Sequence, residues 1–426
     1  MLPIRRLNRA ITELFQAHRL MRAALPGALL AVAALAAPVR AELAIPDDMA
    51  QRMERAGVAG VSVVLVDAGR IVAAEAFGVA SARTGERLAI DDVFEAASNG
   101  KIVAAYALLR LDHSGQLSLG DTLHDARIDS ACGAPAVAAV LSHSAGLGND
   151  IGAGRFTVNC DRRGRFSYAG EGYVLLEPVF RAAVGEPSTA HIERLLFEPL
   201  GMSRSAMGRT ELPIVDGHID LLFAALSGRA AAGGQVTAWS LVIAAVALWI
   251  FLIWWLRGKL GIVTLILVSL LELAVACVAV LVALAVIPAT LSSENRGNDI
   301  ASSFKTTAPD LARFAIELMN PKLAPASVIE EMTTPTVRVN RHTHWGLGIG
   351  IDTSDRAPSW WHWGSNPGYQ SLMVMQPDLQ RAVVVLTNSG GFADFVLPAR
   401  GGYALARELT RDILGIEGHW SIGPTR

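Results

Sequence analysis

Residues 91–115 have the sequence DDVFEAASNGKIVAAYALLRLDHSG. In the second half of this stretch the apolar residues recur at helical spacing, which predicts a largely apolar helix that ends near Gly115. Ser98 lies at the start of this helix and Lys101 lies one turn further on, so their side chains point the same way. A hydroxyl and a desolvated lysine amine can act as nucleophile and base. The stretch therefore predicts a Ser98–Lys101 pair at the mouth of a buried helix.

The same Ser-x-x-Lys spacing occurs a second time, at Ser302-Ser-Phe-Lys305. Ser98 leads into a long apolar helix, which can bury the pair and fix its orientation. Ser302 instead lies just after a long hydrophobic segment and before Thr-Thr-Ala-Pro-Asp. We therefore predict that Ser98 and Lys101 form the functional pair and that the second copy is accidental.

Apolar and β-branched runs predict strands near both ends of the chain, with helices between them. Ala68-Gly69 forms a tight turn between the first two strands, and Thr307 caps a helix that has a proline in its first turn. Besides the helix at 101–115, the predicted elements are strands 60–67, 70–80, 345–352, 369–376 and 381–388, and helices 170–184, 189–198, 308–319 and 399–415. Strands around a helical middle predict an α+β, three-layer fold.

The composition indicates that part of the chain lies in a membrane. Of the 426 residues, 52% are hydrophobic and 18% are charged, and the mean hydropathy of +0.37 is above that of an ordinary soluble domain. The 37 basic and 39 acidic residues nearly cancel. No global field therefore favours a polyanion, and we predict no nucleic-acid partner.

Residues 230–291 predict a transmembrane helical hairpin. The charged residues in this range are Arg257 and Lys259, which separate two apolar runs, and Glu272 within the second run. Each run exceeds the roughly 20 residues that a spanning helix needs. The positive-inside rule places the Arg-Gly-Lys turn on the cytoplasmic side, so both flanks face the exported side and the chain contacts membrane lipid. Glu272 is either a functional group or a neutral, helix-paired carboxyl.

Residues 1–41 predict a cleavable signal peptide, because an apolar run follows Arg19 and Arg22 and falls short of a full span. An uncleaved anchor is the alternative, and translation from Met21 would give a more compact signal. Removal of the leader and the hairpin leaves residues 42–229 and 292–426 as one exported domain. We expect the protein at the cell membrane, with this domain on the periplasmic or extracellular face.

The three cysteines exclude a disulfide-dense scaffold, and the absence of a Cys-x-x-Cys pair argues against structural zinc. Cys132 and Cys160 both fall in the exported part, where they either form a disulfide or remain as two free thiols. His342 and His344 form no recognisable metal set and are interpreted as part of a surface loop. We predict neither a metal nor another cofactor.

Three motifs follow Ser98 in the chain: Leu141-Ser-His-Ser-Ala-Gly-Leu147, Phe166-Ser-Tyr-Ala-Gly-Glu-Gly-Tyr173 and His362-Trp-Gly-Ser-Asn-Pro-Gly-Tyr369. In this order they resemble the serine β-lactamase and penicillin-binding-protein superfamily, specifically its class C-like branch. The resemblance spans roughly residues 50–225 and 299–415. It implies an antiparallel sheet flanked by N- and C-terminal helices, plus a helical region, with the membrane hairpin as an insertion.

The resemblance also implies roles for individual residues. Ser98 would be the acylated nucleophile, Lys101 its proton acceptor, and Tyr168 a proton relay whose phenol is pushed toward phenolate by the lysine ammonium. The substrate-binding residues would be His362, which positions or charge-stabilises the substrate, Gly364 and Ser365. By the same resemblance, the backbone N–H groups of Ser98 and Ser365 would hold the oxyanion. His143 is interpreted as a packing and turn residue.

One position departs from the family pattern. Where the family often has Tyr-x-Asn, this chain has Tyr168-Ala-Gly170, which removes a side-chain amide and makes strong β-lactam hydrolysis doubtful. The sequence predicts a membrane-anchored serine hydrolase for an ester, a D-amino-acid amide or a β-lactam-like small molecule, or for a peptidoglycan-derived substrate. The alternative is a sensor that binds a cell-wall fragment or β-lactam without turnover.

Overall fold

The computed structural model describes residues 43–148, 155–218, 271, 299–355, 357–366, 368–390 and 401–422. The predicted signal peptide at 1–41 lies outside these residues. The predicted hairpin at 230–291 also lies outside them, apart from Leu271. Within the described ranges, no helix is long and apolar enough to cross a membrane.

The strands of the described residues fall into one large sheet and two small ones. In chain order they are β1 (Gly60–Asp67), β2 (Arg70–Ser81), β3 (Glu86–Arg87), β4 (Phe94–Ala97), β5 (Ile128–Asp129), β6 (Phe156–Thr157), β7 (Ala206–Met207), β8 (Phe304–Thr306), β9 (Val337–Arg338), β10 (Thr343–Trp345), β11 (Gly350–Asp352), β12 (Ser359–Asn366), β13 (Tyr369–Gln376) and β14 (Arg381–Thr387). The large sheet has nine strands in the order β3-β2-β1-β14-β13-β12-β11-β10-β9. Every neighbouring pair in it is antiparallel.

Helices cover both faces of the large sheet. They are α1 (Met49–Ala56), α2 (Asn99–His113), α3 (Val137–Leu141), α4 (Glu177–Val184), α5 (Ser188–Ile192), α6 (Glu198–Leu200), α7 (Ala308–Met319), α8 (Ala326–Thr333) and α9 (Gly402–Leu414), with a π-helical turn at Glu193–Phe197 and 3-10 turns that include Gly170–Leu176. Helix α7 packs on β1 and β14, whereas α9 packs on β13, β14 and α1. The α+β fold with a large antiparallel sheet is therefore confirmed.

Strand β1 shows why the sheet is covered on both sides. Its sequence GVSVVLVD is buried at every position except the last. Because alternate side chains of a strand point to opposite faces, Val64 and Val66 lie in one apolar cluster with Leu311 of α7, while Val63 and Leu65 face the other side. A strand that is apolar on both faces can bury all of its side chains only when other layers of the protein cover both sides of the sheet.

A three-stranded antiparallel sheet, ordered β4-β8-β7, positions the start of α2. Strand β4 ends at Ala97, whose φ of +49° is unusual for a residue with a side chain. This turn carries the chain from β4 directly into α2, which is buried along most of its length. Helix α2 ends before Gly115, whose φ of +73° suits glycine. Ser98 thus lies at a sharp strand-to-helix turn.

Most of the predicted elements agree with the structure, and one predicted strand is wrong. The helix at 308–319 is confirmed, with the Thr307 hydroxyl accepting a hydrogen bond from the Asp310 amide at 3.2 Å. Residues 345–352 were expected to form one strand but instead belong to β10 and β11, which pair antiparallel with Trp345 opposite Gly350. The glycine-rich residues 346–349 form the turn between them, because Gly348 takes a φ of +82° that would break a strand.

Of the two alternatives that the sequence leaves open for Cys132 and Cys160, the structure contains the disulfide. It connects the segment after β5 with the segment after β6, and these two strands pair in parallel. Arg163 donates to the carbonyl of Cys132 at 3.0 Å and so holds the same two segments together. The disulfide therefore braces the stretch of chain that leads to Tyr168.

Candidate active site

Ser98 and Lys101 lie side by side at the start of α2. The Nζ of Lys101 donates a hydrogen bond to the Oγ of Ser98 at 3.0 Å. Lys101 is almost fully buried, with 1% of its surface exposed, whereas Ser98 is partly exposed. A buried amine bonded to an accessible hydroxyl is the arrangement that activates a serine for attack.

The carbonyl of Ala301 is a second acceptor for the Lys101 amine. Asp299 shapes the turn that presents this carbonyl, because its carboxylate accepts hydrogen bonds from the amides of Ala301 at 2.9 Å and Ser302 at 2.7 Å. Asn366 then holds the carbonyl of Ser302 at 3.1 Å. Lys101 is therefore fixed from two sides, by Ser98 and by the backbone that precedes β8.

The second Ser-x-x-Lys copy does not form a comparable pair. Lys305 lies in β8 and its Nζ donates to the carbonyl of Gly208 at 2.5 Å. The Oγ of Ser302 faces the carboxylate of Asp299 at 3.4 Å. On an extended strand, residues three apart do not share a side as they do one turn apart on a helix. The same spacing thus has a different outcome in the two places.

Tyr168 lies over the buried amine, with the Nζ of Lys101 5.7 Å from the centre of its ring. The ring is partly exposed, but the phenol oxygen is buried and has no hydrogen-bond partner among the described residues. Burial raises the pKa of Tyr168, and the nearby Ser98 hydroxyl opposes this increase only in part. Burial therefore favours the neutral phenol over the expected phenolate, and the role of Tyr168 as a proton relay stays a prediction.

Strand β12 carries His362, Gly364 and Ser365 alongside this centre. A Cβ on Gly364 would lie 1.9 Å from the carbonyl oxygen of Ala96, so only glycine lets β12 approach β4 this closely. The hydroxyl of Ser365 accepts a hydrogen bond from Gln370 on β13 at 2.8 Å. The close contact at Gly364 places β12 against the turn that carries Ser98.

His362 is buried and electrically neutral. Its Nδ1 lies 2.7 Å from the carbonyl of Trp363 and must donate to it, which leaves Nε2 as a hydrogen-bond acceptor. Burial, together with the nearby Lys101 ammonium, lowers the pKa of His362 to about 3. A neutral imidazole can position a substrate through a hydrogen bond but cannot supply positive charge.

Aromatic rings surround these groups. The ring of Tyr168 lies 5.0 Å from that of Trp363 and 6.4 Å from that of Trp345, measured between centroids. Trp345 also contacts Phe166 at 5.5 Å. Trp363 and Phe166 are partly exposed, so the surface beside Ser98 is largely apolar and aromatic.

A beta-lactamase family model matches residues 45–248 and 275–407 of the chain. The chain belongs to the beta-lactamase family. A search of curated protein sequences found no significant match.

Several solved structures share this fold. The D-amino acid amidase from Ochrobactrum anthropi SV3 is 18% identical, with a TM-score of 0.60 over 87% of this chain and 96% of the amidase. The octameric penicillin-binding protein homologue from Pyrococcus abyssi is 17% identical, with a TM-score of 0.57 over 86% of this chain and 76% of the homologue. The beta-lactamase/D-alanine carboxypeptidase from Pseudomonas syringae is 15% identical, with a TM-score of 0.56 over 87% of this chain and 98% of the carboxypeptidase.

The structure of this beta-lactamase-family chain brings together the residues that the sequence singled out. Ser98, Lys101 and Tyr168 form one centre, and His362 lies close enough to Lys101 for the ammonium to influence its pKa. Gly170 begins a 3-10 turn and carries no side chain toward the lysine. The carbonyl of Ala301, which reasoning from the sequence missed, accepts from that amine instead.

Two further histidine predictions in this beta-lactamase-family chain have different outcomes. His143 is buried and has a φ of +54°, which agrees with the predicted packing and turn role, and its ring lies 4.3 Å from that of Tyr168. His344 lies in β10 and is partly buried, so its placement in a surface loop is wrong, while the partly exposed His342 precedes that strand. The described residues contain no group of three or more histidine, cysteine, aspartate or glutamate side chains arranged to hold a metal.

Acid is expected to destabilise the folded beta-lactamase-family protein through His143 and His362. Burial and the nearby Lys101 lower the pKa of both side chains, that of His362 to about 3, whereas histidine in an unfolded chain titrates near ~6.5. Between these values the unfolded state binds protons that the folded state does not. The free energy of unfolding should therefore fall as the pH falls, by up to about 1.4 kcal/mol per pH unit for each histidine.

Urea unfolding of the full-length protein at several values of pH in this window measures that slope. The substitution His362→Asn keeps a donor for the Trp363 carbonyl and removes one titrating group, so it should make the slope shallower. His124→Asn changes an exposed histidine and should leave the slope as it is. A slope that is the same in His362→Asn as in the wild type would contradict the neutral, buried state of His362.

Proposed function

We propose that this protein is an acyl-serine hydrolase with Ser98 as its nucleophile. The observation that carries the proposal is the 3.0 Å hydrogen bond between the buried amine of Lys101 and the partly exposed hydroxyl of Ser98. The order of the motifs around it resembles the class C-like branch of the family, to which we assign the chain. The proposed catalytic residues are Ser98, Lys101 and Tyr168.

In the proposed reaction, the Lys101 ammonium first loses a proton to solvent. The Oγ of Ser98 then attacks the carbonyl carbon of the substrate, and the neutral Lys101 amine takes the hydroxyl proton. The tetrahedral intermediate collapses as the bond to the leaving group breaks. Tyr168, a neutral phenol, donates its proton to the leaving group and regains one from the Lys101 ammonium. Water then attacks the acyl-serine, the same groups move the protons in reverse, and the free serine returns.

The oxyanion of the intermediate is proposed to bind the backbone N–H groups of Ser98 and Ser365. Two observations support this assignment. Ser98 begins α2, where N–H groups lack partners within the helix. The approach of Gly364 to the Ala96 carbonyl brings the next residue of β12 beside the same turn.

The proposed substrates are esters and D-amino-acid amides, including small fragments derived from peptidoglycan. The D-amino acid amidase and the D-alanine carboxypeptidase share the fold, which supports this range of acyl groups. The partly exposed rings of Trp363 and Phe166 favour an apolar group beside the nucleophile. Gly170 offers no side-chain amide to the substrate, so β-lactams are expected to be poor substrates.

We further propose that the domain formed by residues 42–229 and 292–426 is exported and anchored in the cell membrane by the hairpin at 230–291. The two apolar runs of the hairpin and the leader at 1–41 support this localisation. A disulfide between Cys132 and Cys160 suits an oxidising compartment outside the cytoplasm. Lipid is then a partner of the hairpin.

Mass spectrometry of the purified full-length protein tests the proposed chemistry. After incubation with p-nitrophenyl acetate, we expect a transient acetyl adduct on the peptide that contains Ser98, with release of p-nitrophenol in excess of the protein. The peptide that contains Ser302 provides the internal control and should stay unmodified. An adduct on Ser302 alone, or no adduct and no turnover in a folded sample, would overturn the proposal. A penicilloyl adduct that persists without turnover of any ester would favour the sensor.

A further inference from the structure

His143 makes two backbone hydrogen bonds that flank Tyr168. Its carbonyl accepts from the amide of Ser167 at 2.8 Å. Its ring Nδ1 accepts from the amide of Ala169 at 3.3 Å. The residues immediately before and after Tyr168 are therefore both hydrogen-bonded to His143, one to its backbone carbonyl and the other to its ring.

The imidazole also packs against the phenol that it flanks. The two ring centroids are 4.3 Å apart, and 2% of the surface of His143 is exposed. The other ring nitrogen, Nε2, is buried and makes no hydrogen bond in the described part of the chain. The bond from Ala169 is thus the polar contact that sets the plane of the ring, and the ring in turn supports Tyr168.

The backbone of His143 lies in the left-handed region, with a φ of +54°. This conformation is uncommon for residues other than glycine, although asparagine, aspartate and histidine adopt it more readily than most. It lets the chain turn sharply after α3, so that the carbonyl and the ring of one residue both reach the segment at 167–169.

We infer that His143 is a positioning residue, which acts through Tyr168 by fixing the phenol over the Lys101 amine. The inference rests on the proposed function, because it takes Tyr168 as the group that protonates the leaving group. The role requires a neutral ring, since Nδ1 must accept. Burial, and then the charge of Lys101, lower the pKa of His143 well below its ordinary value and keep the ring neutral.

Two substitutions at His143 distinguish the effect of its hydrogen-bond acceptor from the effect of the shape of its side chain. In His143→Asn, Oδ1 occupies the position of Nδ1 and can accept from Ala169, and asparagine also tolerates the positive φ. In His143→Phe, a carbon occupies that position and the acceptor is lost. We expect His143→Phe to slow acylation by an alkyl ester by roughly 100-fold, as a displaced catalytic group does. The acylation rate of His143→Asn should be closer to that of the wild type than to that of His143→Phe.

The leaving group and a second substitution distinguish positioning from packing. A p-nitrophenolate leaves without a proton, so His143→Phe should affect acylation by a p-nitrophenyl ester much less than acylation by the alkyl ester. In a Tyr168→Phe background, His143→Phe should slow acylation by the alkyl ester by less than about 3-fold, because the phenol that His143 positions is already absent. Equal losses for both esters, or equal losses in both backgrounds, would overturn the inference.

Hydrogen exchange at the Ala169 amide gives a readout that does not depend on activity. Exchange should accelerate in His143→Phe and return toward the wild-type rate in His143→Asn. If the wild-type protein forms no acyl-enzyme, the proposed function fails, and exchange still decides whether His143 holds this segment. If the Ala169 amide exchanges equally in all three proteins, the inference fails whatever the activity.

Discussion

Replacing Ser98 by alanine is expected to abolish turnover and covalent labelling, with kcat lower by roughly 10⁴- to 10⁶-fold. The reason is geometric: Ser98 provides the hydroxyl that the Lys101 amine contacts at 3.0 Å, and alanine leaves no nucleophile. Helix α2 should keep its place, because Ser98 makes no side-chain capping bond to the helix. Steady-state hydrolysis of an alkyl ester and labelling by a fluorophosphonate probe measure the two effects.

Ser302→Ala is the matched control for this substitution. The sequence offers both serines in the same spacing, but Ser302 faces Asp299, and Lys305 is bonded to the carbonyl of Gly208. Activity and labelling should therefore stay near the wild-type values. Activity that survives Ser98→Ala and disappears in Ser302→Ala would reverse the assignment of the nucleophile.

Gly364→Ala is expected to lower acylation by roughly 100-fold or more, because it displaces the turn that carries the nucleophile. The new methyl group would lie 1.9 Å from the carbonyl oxygen of Ala96 and 2.5 Å from the hydroxyl of Ser371. Neither contact is physically possible, so β12 and β4 must separate. Overpacking of this kind also lowers the free energy of unfolding, typically by about 1–3 kcal/mol.

Burst kinetics and urea unfolding of the same samples measure both consequences of Gly364→Ala. Gly120→Ala is a suitable control, because a methyl group there meets the Ser118 hydroxyl at 3.4 Å, an ordinary contact. It should leave both activity and stability nearly unchanged. Full acylation in Gly364→Ala would show that β12 need not approach β4, and the proposed oxyanion site at Ser365 would then fail.

The elements that sequence reasoning predicted well are those whose burial follows one simple period. Strand β1 is apolar at nearly every position and α7 combines a cap, an early proline and helical spacing, so both were predictable. The segment at 345–352 was not, because an apolar run with glycines fits either one strand or two strands and a turn. The structure contains the second arrangement.

In the candidate active site, the sequence was sufficient to predict which side chains come together, but it was not sufficient to predict what surrounds them. The spacing of Ser98 and Lys101 was sufficient to pair them, because one helical turn fixes their relation. The carbonyl of Ala301 could not be predicted, since every residue has one and only the fold selects which is used. The direction of the pKa shift of Tyr168 was also beyond the sequence, because burial raises this pKa by more than the Ser98 hydroxyl lowers it.

The pairing of β1 with β14 has a consequence for how the newly made chain folds. Val61 lies opposite Thr387, so the centre of the large sheet joins residues from opposite ends of the sequence. On the ribosome, β1 emerges long before its partner, with apolar side chains on both faces and one open edge. Contacts this distant in sequence form slowly. We therefore expect the chain to be prone to aggregation until its last strands are available to pair with β1.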